Sequence, residues 1–226
     1  MTGCEQVGMS EDAAITRTLT EILAEGVILC VRLGPGDRVV EACRAAVRGG
    51  LRVLEVTLTT PEALQAMAIL AQEEDTICGG GTVLTADEVS SVAAVGGRFV
   101  MSPVFDPEVV DEAHSQGLLA IPGAASPAEI LAAHRHGAKL VKLFPSGALG
   151  GPAYLRSMRA PLPDIPLVPT SGPTAESLAD YLAAGAVAVG VGPELFPAGF
   201  TLADVETAAR RVRKAVDEAR RGNAAC

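Results

Sequence analysis

Residues 51–83 read LRVLEVTLTTPEALQAMAILAQEEDTICGGGTV and contain the pattern that decides the fold. Two short apolar runs, LRVLEVT (51–57) and TICGGGTV (76–83), flank a segment whose apolar residues recur at helical spacing. Short runs bounded by Gly, Pro and Thr are typical of strands that are buried on both faces. The stretch therefore predicts a strand, a helix and a second strand, and units of this kind pair their strands in parallel.

The same unit recurs along the whole chain. Eight apolar runs begin every 20 to 26 residues, and we predict strands at 27–32, 51–57, 76–83, 98–103, 118–123, 139–144, 165–170 and 186–191. Eight such units without a linker predict an α/β fold, a (β/α)8 TIM barrel, as a single domain over residues 1–226. We also expect an extra N-terminal helix at about 10–25, a last helix at about 201–222, and disordered tails at about 1–9 and 223–226.

Capping residues indicate where several helices begin. TPEALQAMAIL (60–70) offers Thr60 as an N-cap with Pro61 at the first helical position. The segments that begin at Thr85, Asp106, Ser126 and Thr174 likewise open with a capping side chain, followed by acids in the first turn. We therefore predict a helix start at each of these positions.

Composition excludes some classes of function. The net charge of −9 argues against nucleic acid or an anionic membrane as a partner. No basic leader and no run of about 18 apolar residues is present in the 226-residue sequence. The odd count of five cysteines, with no C-x-x-C pair, indicates a reducing compartment, so we expect a cytoplasmic protein. Cys30 and Cys78 fall in apolar runs and are interpreted as core residues.

Three charged residues lie late in the apolar runs: Arg32, Glu55 and Lys142. Charges inside barrel strands are costly unless they serve the site, which in this fold lies at the carboxyl ends of the strands. Because side chains alternate along a strand, Glu55 shares a face with Val53 and Thr57, while the opposite face is aliphatic. Glu55 is therefore predicted to point into the barrel, and the same parity places Lys142 there.

This pair suggests imine chemistry. A buried lysine readily becomes the neutral amine, which attacks a ketone to form a Schiff base. A nearby carboxylate can move protons directly or through one water. We interpret Lys142 and Glu55 as a catalytic pair. A buried structural ion pair, or a wrong strand register, remain the alternatives at this point.

The last two loops of the predicted barrel suggest where an anion would bind. PTSGPT (169–174) and GVGPEL (190–195) follow the seventh and eighth runs, where this fold often binds phosphate through backbone amides. Gly79–Gly81 and Thr82 form either a carboxylate site or an ordinary tight turn. His134 and His136 lie two apart on a helix and face different directions, and His114 stands alone, so we predict no metal site.

The motifs LEVT (54–57), GGGTV (79–83), SP (102–103), IPG (121–123), VKLFP (141–145) and PTSG (169–172) follow one another over about residues 20–200. In order and spacing the chain closely resembles the KDPG/KHG aldolase family, the 2-keto-3-deoxy-6-phosphogluconate and 4-hydroxy-2-oxoglutarate aldolases. The resemblance implies a homotrimeric, metal-independent class I aldolase without a cofactor. It also implies a small keto acid as substrate, cleaved to pyruvate and an aldehyde.

Residue by residue, the resemblance implies that Lys142 forms the Schiff base and that Glu55 is the general acid/base. The other implied positions bind substrate: Thr82 at the pyruvoyl carboxylate, Pro103 and Phe144 as pocket walls, Thr170, Ser171, Gly172 and Gly192 at a distal phosphate, and Arg32 as a basic residue after the first strand.

Two positions depart from the family pattern. Thr59 stands where the family often has an arginine for the substrate carboxylate, and a hydroxyl cannot replace a bidentate charged contact. Pro193 removes an amide N–H and a hydroxyl from the phosphate end. An unphosphorylated substrate is therefore a real alternative. Two other functions stay open: decarboxylation of a β-keto acid such as oxaloacetate through the same imine, and a non-catalytic binding barrel.

Overall fold

The structure is a computed structural model that describes residues 10–224, with the side chains of residues 10–222. The predicted tail at 1–9 lies outside the described residues, as do residues 225–226 of the predicted tail at 223–226. Residues 223–224 are helical instead, because the last helix extends to Ala224. Nine short strands form the centre of the fold: β1 Val27–Val31, β2 Val53–Thr57, β3 Ile77–Gly81, β4 Phe99–Met101, β5 Leu119–Ile121, β6 Gly123–Ala124, β7 Val141–Leu143, β8 Leu167–Pro169 and β9 Val189–Val191.

Nine α-helices surround the strands of the described chain: α1 Glu11–Glu25, α2 Val39–Arg48, α3 Ala63–Leu70, α4 Ala86–Ala94, α5 Pro107–Ser115, α6 Pro127–Arg135, α7 Gly151–Arg159, α8 Leu178–Ala183 and α9 Leu202–Ala224. A 3₁₀ turn, Pro193–Leu195, follows β9. The predicted first and last helices correspond to α1 and α9. No helix within residues 10–224 combines the length and the apolar character that crossing a bilayer requires.

All strand pairs are parallel, in the orders β5-β4-β3-β2-β1-β9 and β6-β7-β8. β5 and β6 are separated only by Pro122, whose carbonyl accepts the Lys142 amide at 2.8 Å, so together they form one barrel strand. Next to β9, the Val187 amide donates to the Leu167 carbonyl at 3.1 Å and joins β8 to the other sheet. The ring is therefore closed with eight strands, and the predicted TIM barrel is confirmed.

The core consists of two layers that follow strand parity. Leu54 and Val56 pack in the outer layer, between the strands and the helices. Val53 packs in the inner layer, which fills the barrel and includes Ile15 and Ile22 of α1. Because α1 covers the amino-terminal end of the barrel, the open mouth lies at the carboxyl ends of the strands, where active sites of this fold are built.

Some predicted helix starts are confirmed and others are wrong. Thr85 and Ser126 form capping boxes, and Asp106 caps α5. α3 begins at Ala63 rather than after Thr60, because the Thr60 hydroxyl instead links β1 and β2: it accepts the Leu33 amide and donates to the Val31 carbonyl.

Two further differences concern the second half of the barrel. α8 begins at Leu178, because a turn precedes the helix. In this turn the Thr174 amide donates to the Ser177 hydroxyl, and the Ser177 amide donates to the Thr174 hydroxyl. α7 was not among the predicted helices. It follows Gly150, which has a left-handed φ of 115° and no capping side chain.

Candidate active site

Lys142 and Glu55 meet at the floor of the barrel mouth. Lys142 Nζ donates to Glu55 Oε1 at 3.1 Å, across 87 residues of sequence. Lys142 is 6% exposed and Glu55 is fully buried. Both residues occupy inward positions of their strands, β7 and β2, in agreement with the predicted parity. The ring of Phe144 lies 5.4 Å from Lys142 Nζ, within the range of a cation–π contact.

The hydrogen-bonding capacity of the Lys142–Glu55 pair is only partly used. Glu55 Oε2 is buried and has no hydrogen-bond partner among the described residues. A buried structural ion pair is stable only when its remaining lone pairs are also bonded. Gly81 leaves the room for this carboxylate, since a Cβ at position 81 would lie 2.5 Å from Glu55 Cγ. An unpaired carboxylate oxygen next to a buried amine is able to accept a proton from a neighbouring group.

A cavity of about 450 Å³ opens directly above Lys142. It runs from the lysine toward the loops that follow β8 and β9. Its walls include seven of the predicted site residues, namely Arg32, Lys142, Phe144, Thr170, Ser171, Gly172 and Gly192. This volume lies within the usual range for small-molecule sites. The predicted nucleophile and the predicted distal residues therefore share one cavity.

Cys30 also lines this cavity, so the interpretation of Cys30 as a core residue is wrong. It lies on β1, opposite Glu55 in the strand pairing, on the inward face at the level of the mouth. Burial raises the pKa of the Cys30 thiol, and the Glu55 carboxylate raises it further. The thiol is therefore protonated and contributes a neutral wall. Cys78, by contrast, is a core residue as predicted.

Arg32, Thr59 and Thr82 form a polar cluster at the rim. The exposed Arg32 guanidinium donates to Thr59 Oγ1 at 3.1 Å and to Thr82 Oγ1 at 3.0 Å. Thr57 and Thr59 place their hydroxyls 3.1 Å apart and extend the cluster toward the strand. A substrate carboxylate that binds here would replace the threonine oxygens and accept both hydrogen bonds from the planar Arg32 guanidinium.

Backbone strain coincides with two of the predicted binding residues. Thr82 and Ser171 both have φ of 57°, a region that β-branched residues in particular rarely occupy. Such strain of about 1–3 kcal/mol per residue persists where surrounding contacts enforce it and concentrates at ligand sites. The third non-glycine residue with positive φ in the described chain, Glu62, precedes α3 and has no such role.

Pro103 is not brought into the cavity. It lines a neighbouring groove together with Val104, Phe105 and Ala124, and Phe144 lies between the two hollows. Pro103 therefore lines a groove that shares Phe144 with the cavity above Lys142. Within residues 10–224, no three His, Cys, Asp or Glu side chains cluster so as to hold a metal ion. His136 instead contacts Asp111 at 2.8 Å.

Glu194 is a cavity residue that the sequence reasoning missed. It lines the distal end, and its carboxylate accepts the Ala175 amide at 3.0 and 3.2 Å. Burial raises the pKa of Glu194, while the Ala175 amide and Arg211 act in the opposite direction. A glutamate within a Gly- and Pro-rich loop gives no sequence signal of this contact, because its partner lies 19 residues away.

Comparisons with known proteins identify the family of the chain. A family model for KDPG and KHG aldolases matches residues 19–210. The 2-dehydro-3-deoxy-phosphogluconate aldolase of Treponema pallidum (strain Nichols) is 40% identical over 158 residues, which cover 70% of this chain and 75% of the relative.

Two solved structures show the same fold. The 2-keto-3-deoxy-6-phosphogluconate aldolase of Zymomonas mobilis ZM4 with 3-phosphoglycerate has a TM-score of 0.79 and 29% identity, over 88% of this chain and 96% of that one. KDPG aldolase from Legionella pneumophila, with pyruvate captured at low pH as a covalent carbinolamine intermediate, has a TM-score of 0.73 and 27% identity, over 92% and 96% of the two chains. The predicted resemblance is thus confirmed, and the chain belongs to the KDPG and KHG aldolase family.

Proposed function

We propose that this protein is a class I aldolase that cleaves a 2-keto-4-hydroxy acid to pyruvate and an aldehyde, with Lys142 as the Schiff-base residue and Glu55 as the general acid/base. The observation that carries the proposal is the buried Lys142–Glu55 contact at 3.1 Å, with Glu55 Oε2 left unpaired beneath a cavity. Membership of an aldolase family supports it independently.

The reaction begins when Glu55 takes a proton from Lys142, and the free amine attacks the C2 carbonyl of the keto acid to give a carbinolamine. Glu55 returns this proton to the departing hydroxyl, and loss of water gives the protonated imine. Glu55 then takes the proton of the C4 hydroxyl, directly or through one water, and the C3–C4 electron pair moves into the imine. An aldehyde leaves, an enamine remains, and Glu55 returns a proton to C3. Water finally releases pyruvate and the free amine.

Binding follows the polarity of the cavity. The C1 carboxylate is assigned to the rim cluster, where Arg32 supplies two N–H groups and Thr82 a hydroxyl. Phe144 covers the apolar side of the imine. Pro103 is assigned an outer wall, because it lines the neighbouring groove that shares Phe144 with the cavity. Thr170, Ser171, Gly172 and Gly192 are assigned to the aldehyde half of the substrate.

The shape of the cavity favours aldol cleavage over decarboxylation. A β-keto acid such as oxaloacetate ends at the carboxylate that is lost and needs no room beyond it. Here the cavity continues from Lys142 to the loops after β8 and β9, a distance that a longer substrate would fill. The unpaired Glu55 oxygen also argues against a barrel that only binds ligands.

Release of pyruvate from 2-keto-3-deoxygluconate, its 6-phosphate and 4-hydroxy-2-oxoglutarate tests the proposal. We expect Lys142→Ala to reduce kcat by at least about 10³-fold with each substrate that the wild type accepts. Lys139→Ala is the matched control, since Lys139 is exposed just before β7, at the opposite end of the strand from the mouth. Full activity in Lys142→Ala, or loss in Lys139→Ala alone, would contradict the assignment.

We also propose a homotrimer, as the family resemblance implies, and the cytosol as its location. Cys30, Cys43 and Cys78 carry free thiols, which fits a reducing compartment. Sedimentation equilibrium should give three copies of the 23.1 kDa chain, and a monomer would contradict the trimer.

A further inference from the structure

At the distal end of the cavity, formed by residues 170–174 and 190–194, the turn before α8 uses its amide donors internally. The Thr174 amide donates to Ser177 Oγ at 3.0 Å, and the Ser177 amide donates to the Thr174 carbonyl at 3.1 Å. The Ala175 amide, between them, donates to Glu194. Pro173 and Pro193 have no amide N–H at all. The turn before α8 therefore offers few of the amides that would hold a phosphate.

Glu194 adds a negative charge to the same place. Its side chain is 15% exposed, and it lies on the 3₁₀ turn at the cavity wall. The nearest cation is Arg211 of α9, whose Nη2 lies 3.4 Å from Glu194 and whose Nη1 lies 3.4 Å from Glu176. One guanidinium is thus shared between two carboxylates, so a phosphate dianion at this end would meet net negative charge.

An uncharged hydroxyl meets complementary groups instead. A carboxylate has about four acceptor sites, and those of Glu194 are only partly used by Ala175 and Arg211. Thr170 is 4% exposed, and its hydroxyl, at the cavity wall, has no partner among the described residues. A substrate hydroxyl can donate to the Glu194 carboxylate, and a hydroxyl that accepts from Thr170 would satisfy an unpaired buried polar group.

We propose that Glu194 is a specificity-determining residue that makes this aldolase select 2-keto-3-deoxy acids whose far end is a free hydroxyl rather than a phosphate. The inference rests on the proposed lyase activity and adds the substrate class. It separates this chain from the Zymomonas mobilis relative, whose solved structure contains the phosphorylated 3-phosphoglycerate. The selectivity comes from repulsion of one substrate as well as attraction of the other.

The test compares kcat/KM for 2-keto-3-deoxygluconate and for its 6-phosphate, two substrates that differ only in the distal group. The assay is run at about pH 8, well above the usual pKa of a carboxyl group, which is about 4.3 for glutamate. We expect the wild type to prefer the free hydroxyl by on the order of tenfold or more, because like charges placed together are strongly disfavoured. A smaller preference, equal use, or a preference for the phosphate overturns the inference.

Variants identify the residue responsible. Glu194→Gln keeps the size of the side chain and removes its charge, so we expect the preference to shrink by about tenfold, mainly through better use of the phosphate ester. Glu176→Gln is the matched comparison: it removes the other carboxylate on Arg211, which is exposed and outside the cavity wall, and should shift the ratio much less than Glu194→Gln does. An equal shift in both variants, or none in Glu194→Gln, overturns the role of Glu194.

The outcomes also distinguish this inference from the proposed function beneath it. If neither substrate releases pyruvate and no lysine adduct forms with pyruvate, the aldolase assignment itself fails. If pyruvate is released but the phosphate ester is preferred, the aldolase assignment stands and the hydroxyl selectivity is wrong. Because the wild-type ratio alone decides this point, the test does not depend on the folding of any variant.

Discussion

Gly81→Ala should disable proton transfer while leaving imine formation possible. An added Cβ at position 81 would lie 2.5 Å from Cγ and 2.8 Å from Cδ of Glu55, whereas ordinary contacts begin at 3.4 Å. The carboxylate must therefore move by about 1 Å, and a misplacement of that size costs on the order of 10²-fold in rate. Gly81 does not have a positive φ, so the backbone itself tolerates alanine.

The preceding residue offers a control on the same strand. A Cβ at Gly80 would lie 2.5 Å from Cγ2 of Val92, on the outer face of β3 toward α4. Both substitutions overpack the structure by a similar distance, and we expect each to destabilise it by about 1–3 kcal/mol. Only Gly81→Ala presses on Glu55, so only this variant should lose activity on the order of 10²-fold.

The assay measures kcat from pyruvate release, the melting temperature, and borohydride trapping of pyruvate for both variants. We expect similar losses of melting temperature, a large loss of kcat in Gly81→Ala alone, and a lysine adduct in both. If folded Gly81→Ala kept a kcat close to that of the wild type, the position of Glu55 would not matter for catalysis. Its role as general acid/base would then have to be abandoned.

Three further predictions concern the rim, the thiol and the opposite end of the barrel. Arg32→Ala should raise KM about 10- to 100-fold, because a charge-assisted hydrogen bond contributes about 1.5–3 kcal/mol. Adding Thr59→Arg to Arg32→Ala should restore part of the lost affinity. An unchanged KM in Arg32→Ala would exclude Arg32 as the carboxylate ligand. Burial and the Glu55 carboxylate raise the pKa of the Cys30 thiol. At about pH 8, we therefore expect Cys30 to be alkylated at least tenfold more slowly than N-acetylcysteine, as measured by mass spectrometry. An equal rate would contradict a protonated Cys30 thiol. Burial and the nearby Lys139 lower the pKa of His114, so the folded state binds a proton at His114 less readily than the unfolded state does. The stability of the wild type should therefore fall as the pH drops below about 6.5, and the stability of His114→Gln should fall less. Parallel pH profiles of the melting temperature for the two proteins would refute this role of His114.

The sequence was sufficient for the features that depend on periodicity. The repeat of apolar runs predicted the eight-stranded barrel. The alternation in LRVLEVT (51–57) and KLVKLF (139–144) predicted that Glu55 and Lys142 point inward. Parity works here because both faces of a barrel strand are buried, so an isolated charge in such a strand has only the mouth available to it. Local capping signals were equally informative at Thr85 and Ser126.

The features that the sequence did not reveal depend on contacts between distant segments. Thr60 resembles a helix cap, but its hydroxyl is used between β1 and β2, and the helix begins later. Glu194 resembles a surface residue, but it accepts the Ala175 amide at the cavity wall. Cys30 lies in an apolar run, yet its position beside Glu55 follows from the pairing of β1 with β2. In each case, the local sequence suggests one role for the residue, and its tertiary contacts give it a different one.

We propose that Lys142 is the amine that reacts with the keto acid. Incubation of the wild-type protein with pyruvate and borohydride, followed by peptide mapping by mass spectrometry, tests it most directly. Reduction of the imine fixes pyruvate to the lysine that formed it. We predict a single adduct on Lys142, the lysine buried beside Glu55. No adduct, or an adduct on the exposed Lys139, would contradict the account.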